Sequence, residues 1–228
     1  PAAKEMIKLR TKYFDDVLSN QILAGCKQIV ILGSGLDTRA ARMNGESVDY
    51  WEIDDRATLE LKAETFKANK IQANVRYIPG DYVQDNLIAL LQQSEFDFDR
   101  PTYFLWEGNT TLLEKKDVIF VLEQIRDNVQ SFKLSFDYMS EKVIARTTGY
   151  QDINDYIDKY ESMYTPWITG FENIETLADE LKLKIIDNFS TAQLHKQYRP
   201  HRLLESNLLK FYFVCTLENT EGCVSSEI

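Results

Sequence analysis

Hydrophobic and polar positions follow two different periods along the chain, and the period changes at regular intervals. From Lys4 to about Asn20, apolar residues recur with helical spacing, which predicts an amphipathic helix. The segment QIVILGSG, residues 28–35, is instead a continuous β-branched run that stops at a glycine turn, which predicts a strand buried on both faces. The chain therefore opens with one helix and one buried strand.

The same alternation of strand and helix continues to about residue 139. We predict further strands at 48–54, 75–81, 101–108 and 133–139, and helices at 56–67, 83–93 and 114–129. Strands that alternate with helices are typical of a mostly parallel sheet with helices on both faces. The sequence therefore predicts an α/β fold of the doubly wound kind.

The last third of the chain has a weaker pattern. A helix is predicted at 171–183 and strands at 184–190 and 211–218, with the polar loop HKQYRPHR (195–202) between the strands. Five aromatic residues precede this region: Tyr150, Tyr156, Tyr160, Tyr164 and Trp167. Their spacing indicates either a cover for an apolar or aromatic ligand or a helix packed on the sheet.

Composition and charge narrow the class of protein. The 228 residues carry a formal net charge of −10, which disfavours nucleic-acid or membrane-surface partners. Cys26, Cys215 and Cys223 lack paired CxxC spacing, so we predict neither a disulfide framework nor a metal site. No apolar run has the length of a membrane span, and we expect a cytoplasmic protein. Because the chain opens at Pro1 without a methionine, we also expect that upstream sequence is missing.

The glycine turn that ends the first strand is the strongest local signal. It reads Gly33-Ser34-Gly35-Leu36-Asp37-Thr38. Glycines let the backbone approach a ligand closely, and a following helix offers free N–H donors. The alternative is a tight turn without a ligand.

Acidic side chains follow several of the predicted strands. Glu52 and Asp54 end the second strand about twenty residues after the turn, where a carboxylate can bind a ribose diol. Asp81 ends the third strand and Glu107 the fourth. Each of the first three has a structural alternative as a solvated strand end or a helix cap. Ligands of open α/β sheets bind at the carboxyl ends of the strands, so we expect this row to converge on one.

Five segments together resemble the leucine carboxyl methyltransferase family and its bacterial S-adenosylmethionine-dependent O-methyltransferase relatives. They are Arg10 with YFDD (13–16), LGSGLDTRAARM (32–43), YWEIDD (50–55), GDY (80–82) and WEGNTTLLEKKDV (106–118). The resemblance covers about residues 8–130. It implies a Rossmann-like, seven-stranded and mostly parallel sheet with an antiparallel last strand. From the chain length we expect one domain over 1–228. With the resemblance, this domain divides into the leading helix at 4–20, a cofactor-binding half at 28–139 and substrate-side elements at 141–210.

The resemblance also implies residue roles at the methionine end of S-adenosylmethionine. Arg10 would pair with the methionine carboxylate, and Gly33 and Gly35 would accommodate this end of the cofactor. Glu107 would lie at the ammonium group. Asp37 would orient the turn or cap the short helix, with direct cofactor contact as the second possibility.

For the adenosine end, the resemblance implies that Asp54, ahead of Glu52, holds the ribose. Asp81 and Tyr82 would hold the adenine. Family members usually carry a further N-terminal segment that supplies a basic residue to the cofactor carboxylate. Lys4 is too near Arg10 in the chain to serve as its equivalent.

The expected reaction is methyl transfer to a carboxylate or hydroxyl of a small molecule. A carboxylate needs no general base, whereas a hydroxyl is helped by one, and the candidates are Glu107, Tyr198, His201 and His195. An NAD-dependent oxidoreductase is one alternative, but Thr38 stands where GxGxxG needs its third glycine. A non-catalytic cofactor-binding protein of the same fold is another.

Overall fold

A seven-stranded sheet organises the molecule in the computed structural model, which describes residues 2–44, 47–162, 166–203 and 206–219. The strand order is β3-β2-β1-β4-β5-β7-β6. The strands are β1 (Gln28–Leu32), β2 (Asp49–Asp54), β3 (Val75–Pro79), β4 (Thr102–Trp106), β5 (Phe132–Met139), β6 (Leu183–Ser190) and β7 (Tyr212–Asn219). Strands β1 to β5 pair in parallel, and β7 is antiparallel to both β5 and β6. The predicted sheet, with its antiparallel last strand, is confirmed.

Side chains of β1 show how the sheet is buried on both faces. Val30 and Leu32 belong to one hydrophobic cluster, whereas Ile29 and Ile31 belong to another on the opposite face. Successive side chains of a strand point to opposite faces, so a strand covered on both sides must be apolar throughout. This is why the run QIVIL predicts a central strand.

The helices described lie before β1 and between the strands. They are α1 (Ala2–Leu23), α2 (Arg39–Arg42), α3 (Arg56–Ala68), α4 (Leu87–Gln92), α5 (Lys115–Asn128), α6 (Glu141–Ile144), α7 (Gln151–Ser162), α8 (Ile174–Glu180) and α9 (Thr191–Tyr198). None of the helices in these ranges combines the length and apolar character that a bilayer crossing requires. The helix predicted at 83–93 begins later, because Asn86 caps α4 by accepting from the amides of Ile88 and Ala89.

Half of the polar loop predicted at 195–202 is helical. Ser190 and Gln193 form a reciprocal capping box that starts α9, and the helix continues to Tyr198. His195 is consequently buried on α9 rather than exposed in a loop. The predicted loop is therefore wrong for residues 195–198, whereas residues 199–202 are irregular as expected.

Strand order fixes where a ligand can bind. β1 lies between β2 and β4, and the chain leaves β1 toward one side of the sheet and later returns to the other. The loops after β1 and β4 therefore diverge at a switch point, which is where open α/β sheets form their ligand crevice. The glycine turn after β1 faces the segment that follows Trp106 across this crevice.

Candidate functional site

A cleft with two lobes lies at the carboxyl ends of β1 to β4. The turn lobe, about 430 Å³, is bounded by the glycine turn, α1 and the loop after β4. The outer lobe, about 520 Å³, is bounded by the ends of β2 and β3. Gly33 and Asn109 line both lobes, so the two are adjacent.

Gly33 and Gly35 shape the floor of the turn lobe. Both have left-handed backbones, with φ of +59° and +48°. A Cβ on Gly33 would lie 2.5 Å from Oδ1 of Asn109, whose Nδ2 donates to the carbonyl of Glu107 at 2.9 Å. A Cβ on Gly35 would meet nothing within 4 Å. Because Gly33 has no side chain, the loop after β4 packs closely against the glycine turn. Because Gly35 has none, space in the turn lobe stays open.

Asp54 connects the glycine turn to the outer lobe. Its Oδ2 accepts the amide of Gly35 at 2.6 Å, and its Oδ1 accepts the amide of Asp55 at 2.7 Å. Each carboxylate oxygen can accept a second hydrogen bond, and the residue lines the outer lobe. Asp54 thus braces the turn and keeps acceptor capacity toward the outer lobe.

Asp81 and Tyr82 form the far side of the outer lobe. Asp81 is exposed, and its Oδ1 accepts the amide of Val83 at 2.9 Å. This hydrogen bond lies in the turn before α4, so Asp81 does not cap that helix, which begins after Asn86. Tyr82 is buried edge-on against Trp106, and burial raises its pKa to about 12. Its hydroxyl accepts from Nε1 of Trp106 at 3.1 Å. The lobe therefore has an apolar wall beside a carboxylate.

Arg10 and Glu107 meet in the turn lobe. Nε of Arg10 donates to Oε1 of Glu107 at 2.8 Å, and Thr11 Oγ1 donates to the same oxygen at 3.1 Å. Nη1 of Arg10 donates to Tyr212 Oη at 2.7 Å. Nε and Nη1 of Arg10 donate these hydrogen bonds. The third nitrogen of the guanidinium, Nη2, lies beside Gly108. A fixed guanidinium edge is therefore presented to the lobe.

Asp137, which the sequence analysis missed, holds this arrangement from below. It is 1% exposed near the end of β5, and its Oδ1 accepts the amide of Gly108 at 2.6 Å. Its Oδ2 accepts from Nη1 of Arg10 at 3.1 Å and from the hydroxyl of Tyr212. Burial raises the pKa of Asp137 to about 6, although the charge of Arg10 opposes that rise. An acidic residue inside a predicted buried strand was the available signal, because buried charges need partners.

Arg39 is a second residue that the sequence analysis did not single out. Its buried guanidinium contacts Asp15 of α1 at 2.7 Å, Asp37 at 2.5 Å and Oε2 of Glu107 at 2.7 Å. Burial alone would lower the pKa of Arg39, but Glu107 and the other carboxylates outweigh it and raise the pKa. Asp37 also accepts the amide of Arg39 at 2.7 Å, so it orients the turn through this arginine. Arg39 thus joins α1, the turn and the loop after β4.

Glu52 does not reach the cleft. Its side chain is 0% exposed, and its carboxylate pairs with Nζ of Lys62 on α3. Burial raises the pKa of Glu52 to about 7, although Lys62 opposes the rise. The structure therefore corrects the cofactor role expected for Glu52: this residue belongs to the interior beneath α3, and Asp54 lines the outer lobe.

Tyr198 and His201, expected as catalytic candidates, are not brought to the cleft either. Tyr198 ends α9 and lines a separate groove with Asp16 of α1 and Asp187 of β6. His201 is exposed in the turn after α9. Helix α9 packs against α1 and β6, and neither Tyr198 nor His201 lines the turn lobe or the outer lobe. Of the three residues expected to be catalytic, only Glu107 lies in the cleft.

The aromatic segment lies partly in α7. Tyr150, Tyr156 and Trp167 pack against a small hydrophobic cluster that contains Ile153 and Ile157 of this helix. This agrees with the packing interpretation, whereas Tyr164 falls outside the described residues. Where the structure describes side chains, no three His, Cys, Asp or Glu residues converge as a metal site would require.

The family to which this chain belongs is identified by comparison with known protein families. A sequence model of the leucine carboxyl methyltransferase family matches residues 1–126, more than half of the 228-residue chain. The chain belongs to this family. Arg10, the glycine turn, Asp54, Asp81 and Glu107 all lie within the matched part.

Two relatives of this family member come from mycobacteria. A Mycolicibacterium smegmatis protein named "Putative S-adenosyl-L-methionine-dependent methyltransferase" is 34% identical over 144 residues, covering 59% of this chain and 45% of that protein. A Mycobacterium avium protein of the same name is 39% identical over 103 residues, covering 44% of this chain and 33% of that protein. The matched part thus spans less than half the length of each relative.

Solved structures share the fold of this leucine carboxyl methyltransferase family member at low identity. A DUF574 family protein from Streptomyces avermitilis has a TM-score of 0.67 and 13% identity, and the match covers 93% of this chain and 83% of that one. Magnesium protoporphyrin IX methyltransferase from Synechocystis, solved with bound S-adenosylhomocysteine, has a TM-score of 0.59 and 7% identity. That match covers 95% of this chain and 86% of the other. These likenesses show the Rossmann-like methyltransferase fold.

Proposed function

We propose that the protein is an S-adenosylmethionine-dependent methyltransferase that methylates an oxygen of a small molecule. The observation that carries this proposal is the pairing of Arg10 with Glu107 at 2.8 Å in the turn lobe. A cation and an anion held side by side suit the zwitterionic end of an amino acid. The family membership and the names of the mycobacterial relatives support the same cofactor.

The turn lobe fits the methionine end of this cofactor. Nη2 of Arg10 would donate to the carboxylate, and Glu107 would accept from the ammonium. The open space above Gly35 would admit the chain that joins them, because no side chain of the described residues lies within 4 Å of a Cβ built there. Asp37 would act indirectly by fixing Arg39.

The outer lobe fits adenosine. Asp54 has acceptor capacity for a ribose diol after bracing the turn, and a charge-assisted hydrogen bond of this kind contributes about 1.5–3 kcal/mol. Asp81 would accept from the adenine amino group, and the buried ring of Tyr82 would form the wall beside the base. The nicotinamide alternative fits less well, because its ring would meet the charged pair of the turn lobe.

S-adenosylmethionine supplies a methyl group on a sulfonium, and an acceptor oxygen forms the new bond while the carbon–sulfur electron pair stays on sulfur. The protein's part is alignment, which can lower a barrier by about 7–11 kcal/mol in favourable systems. Both oxygens of Glu107 already accept hydrogen bonds or ion pairs from Arg10, Thr11 and Arg39. This favours anchoring over proton abstraction by Glu107, and therefore favours a carboxylate acceptor, which needs no base.

Calorimetric titration with S-adenosylhomocysteine and with NAD tests the cofactor. We expect saturable binding of the first and none of the second. Asp54→Ala should weaken S-adenosylhomocysteine binding roughly 10- to 150-fold, the equivalent of losing one charge-assisted hydrogen bond. Asp127→Ala is the control, because Asp127 is an exposed residue of α5 paired with Arg126. Binding of NAD alone, or equal affinities in both variants, would contradict the proposal.

A further inference from the structure

Three aromatic rings beside α1 form a cluster that the proposed cofactor does not use. We define the aromatic stack as Tyr156, Tyr160 and Trp167. The Tyr160 and Trp167 rings are nearly parallel, at 26° and 4.5 Å between centroids, and Tyr156 stacks on Tyr160 at 5.7 Å. All three are only partly buried, so ring surface remains accessible. Tyr138 and Phe213 are also nearly parallel, but the Tyr138 ring is buried, whereas all three rings of the aromatic stack are partly exposed.

Contacts place this stack on the side of α1 that carries Arg10. The hydroxyl of Tyr156 accepts the amide of Ala3 at 2.9 Å, about two turns of α1, or about 10 Å, before Arg10. Tyr156 and Trp167 also pack on the cluster that contains Tyr212, the residue whose hydroxyl contacts Arg10. The stack is therefore connected to the turn lobe through Tyr212 and Arg10.

Exposed apolar side chains lie on or beside the loops that border the cleft. We define the apolar rim as Leu36, Leu112 and Ile168, whose exposed fractions are 66%, 43% and 47%. Leu36 lines the turn lobe, and the amide of Ile168 donates to the carbonyl of Thr111 at 2.8 Å, beside Leu112. Because Ile168 directly follows Trp167, rim and stack are adjacent. Apolar groups grouped at a cleft mark a binding surface more strongly than scattered ones.

Carboxylates balance the arginines of the turn lobe. Arg10, Arg39 and Arg42 line it together with Asp37 and Glu107. Asp137 is paired with Arg10, and Asp15 is paired with Arg39 and Arg42. The lobe therefore has no excess positive charge. The preference for a carboxylate acceptor follows instead from the proposed function, in which the hydrogen-bonded and ion-paired Glu107 does not act as a base.

We propose that the aromatic stack and the apolar rim bind the methyl acceptor, and that this acceptor is a small aromatic carboxylic acid. This inference rests on the proposed function. The acceptor ring would contact Tyr160 and Trp167, with its carboxylate directed toward the turn lobe. An acceptor carboxylate oxygen takes the methyl group and becomes an ester, with no proton released.

Calorimetry with two probes of matched shape tests this acceptor class, using the 228-residue chain saturated with S-adenosylhomocysteine. We expect 2-naphthoate to bind roughly 2- to 12-fold more tightly than decahydro-2-naphthoate, the worth of one aromatic contact. Trp167→Leu and Tyr160→Leu should remove this preference. Phe120→Leu, which changes an exposed aromatic residue of α5, should keep it.

The unsubstituted protein provides a measurement that no folding defect can affect. Trp51 and Trp106 are at most 2% exposed, so 2-naphthoate should shift the indole N–H resonance of Trp167 and leave those two in place. Equal binding of the two probes, or an unmoved Trp167 resonance, would overturn the acceptor site while leaving cofactor binding intact. Failure of S-adenosylhomocysteine itself to bind would instead remove the proposed function, and this inference with it.

Discussion

Nη1 of Arg10 lies 3.1 Å from Oδ2 of Asp137, so the first helix is joined to a carboxylate buried under the cleft. The same guanidinium contacts Glu107 through Nε at 2.8 Å. Arg10 therefore has two separable roles, one in stabilising the fold and one in presenting donors to the turn lobe. The two roles predict different responses to mutation.

Replacing Arg10 separates these roles. Arg10→Gln should cost about 3–5 kcal/mol of unfolding free energy, because it leaves Asp137 as an uncompensated buried charge. It should also weaken S-adenosylhomocysteine binding at least about tenfold, as expected for one lost charged hydrogen bond. The double variant Arg10→Gln/Asp137→Asn should recover much of the stability, measured by urea unfolding, without recovering affinity. Recovery of both would mean that Arg10 does not contact the ligand.

Three glycines with positive φ provide a matched set. Gly149→Ala should cost about 1–2 kcal/mol from backbone strain alone, because its φ is +78° and a Cβ there has open space. Gly33→Ala should cost more, since its Cβ would lie 2.5 Å from Asn109. Gly35→Ala should match Gly149→Ala in stability, yet weaken binding of S-adenosylhomocysteine. Thermal unfolding and calorimetry measure the two effects, and unchanged affinity in Gly35→Ala would show that the ligand lies elsewhere.

The central strands and the glycine turn were predictable because each depends on local pattern. A strand whose residues are almost all apolar, such as QIVIL, is expected at the centre of a sheet that is covered on both faces. A glycine turn that follows such a strand is expected to face the ligand crevice. Asp54 could be ranked above Glu52 from the family resemblance. The structure shows the physical reason, because Glu52 is paired with Lys62 of α3 in the interior. The sequence does not indicate this pair, since a lysine on a helix is normally exposed.

The partners of Arg10 and Arg39 could not be predicted in the same way. Asp137 is 127 positions from Arg10 in the sequence, and its neighbours in β5 indicate only a buried strand. Arg39 lies in the recognised segment LGSGLDTRAARM, but its contact with Asp15 depends on how α1 packs. Tyr198 was misplaced for a related reason, since the path of α9 depends on tertiary packing.

Asp137 should give the protein a measurable pH dependence of stability. Its pKa is about 6 in the folded state against 3.8 ordinarily, so between these values the folded protein retains a proton that the unfolded chain has released. Stability should therefore fall as pH rises from about 4 to about 6, by up to about 3 kcal/mol from this group.

Asp137→Asn removes that proton equilibrium and provides the comparison. Urea unfolding across this pH range should show the wild-type protein losing stability relative to the variant as pH rises, with a constant difference above about pH 6. Subtracting the variant cancels the contribution of other carboxylates. Parallel curves would show that the pKa of Asp137 is the same in the folded and unfolded protein, which would contradict this prediction.

The buried pair of Glu52 and Lys62 predicts strong energetic coupling. Both side chains are at most 1% exposed, so removing one partner leaves the other unpaired in the interior. Glu52→Gln and Lys62→Met should each cost about 3–5 kcal/mol of unfolding free energy. The double variant should cost much less than the sum, because replacing both members of a buried pair with uncharged groups is often nearly neutral.

An ion pair on the protein surface serves as the control for this double-mutant cycle. Lys116 and Glu114 lie 2.7 Å apart but are 75% and 61% exposed, so Lys116→Gln should change stability by less than about 1 kcal/mol. S-adenosylhomocysteine affinity should stay within about twofold of wild type in the folded double variant, because Glu52 does not reach the cleft. Additive costs would show that the two charges do not stabilise each other. Loss of affinity in a stably folded double variant would return Glu52 to the ligand site.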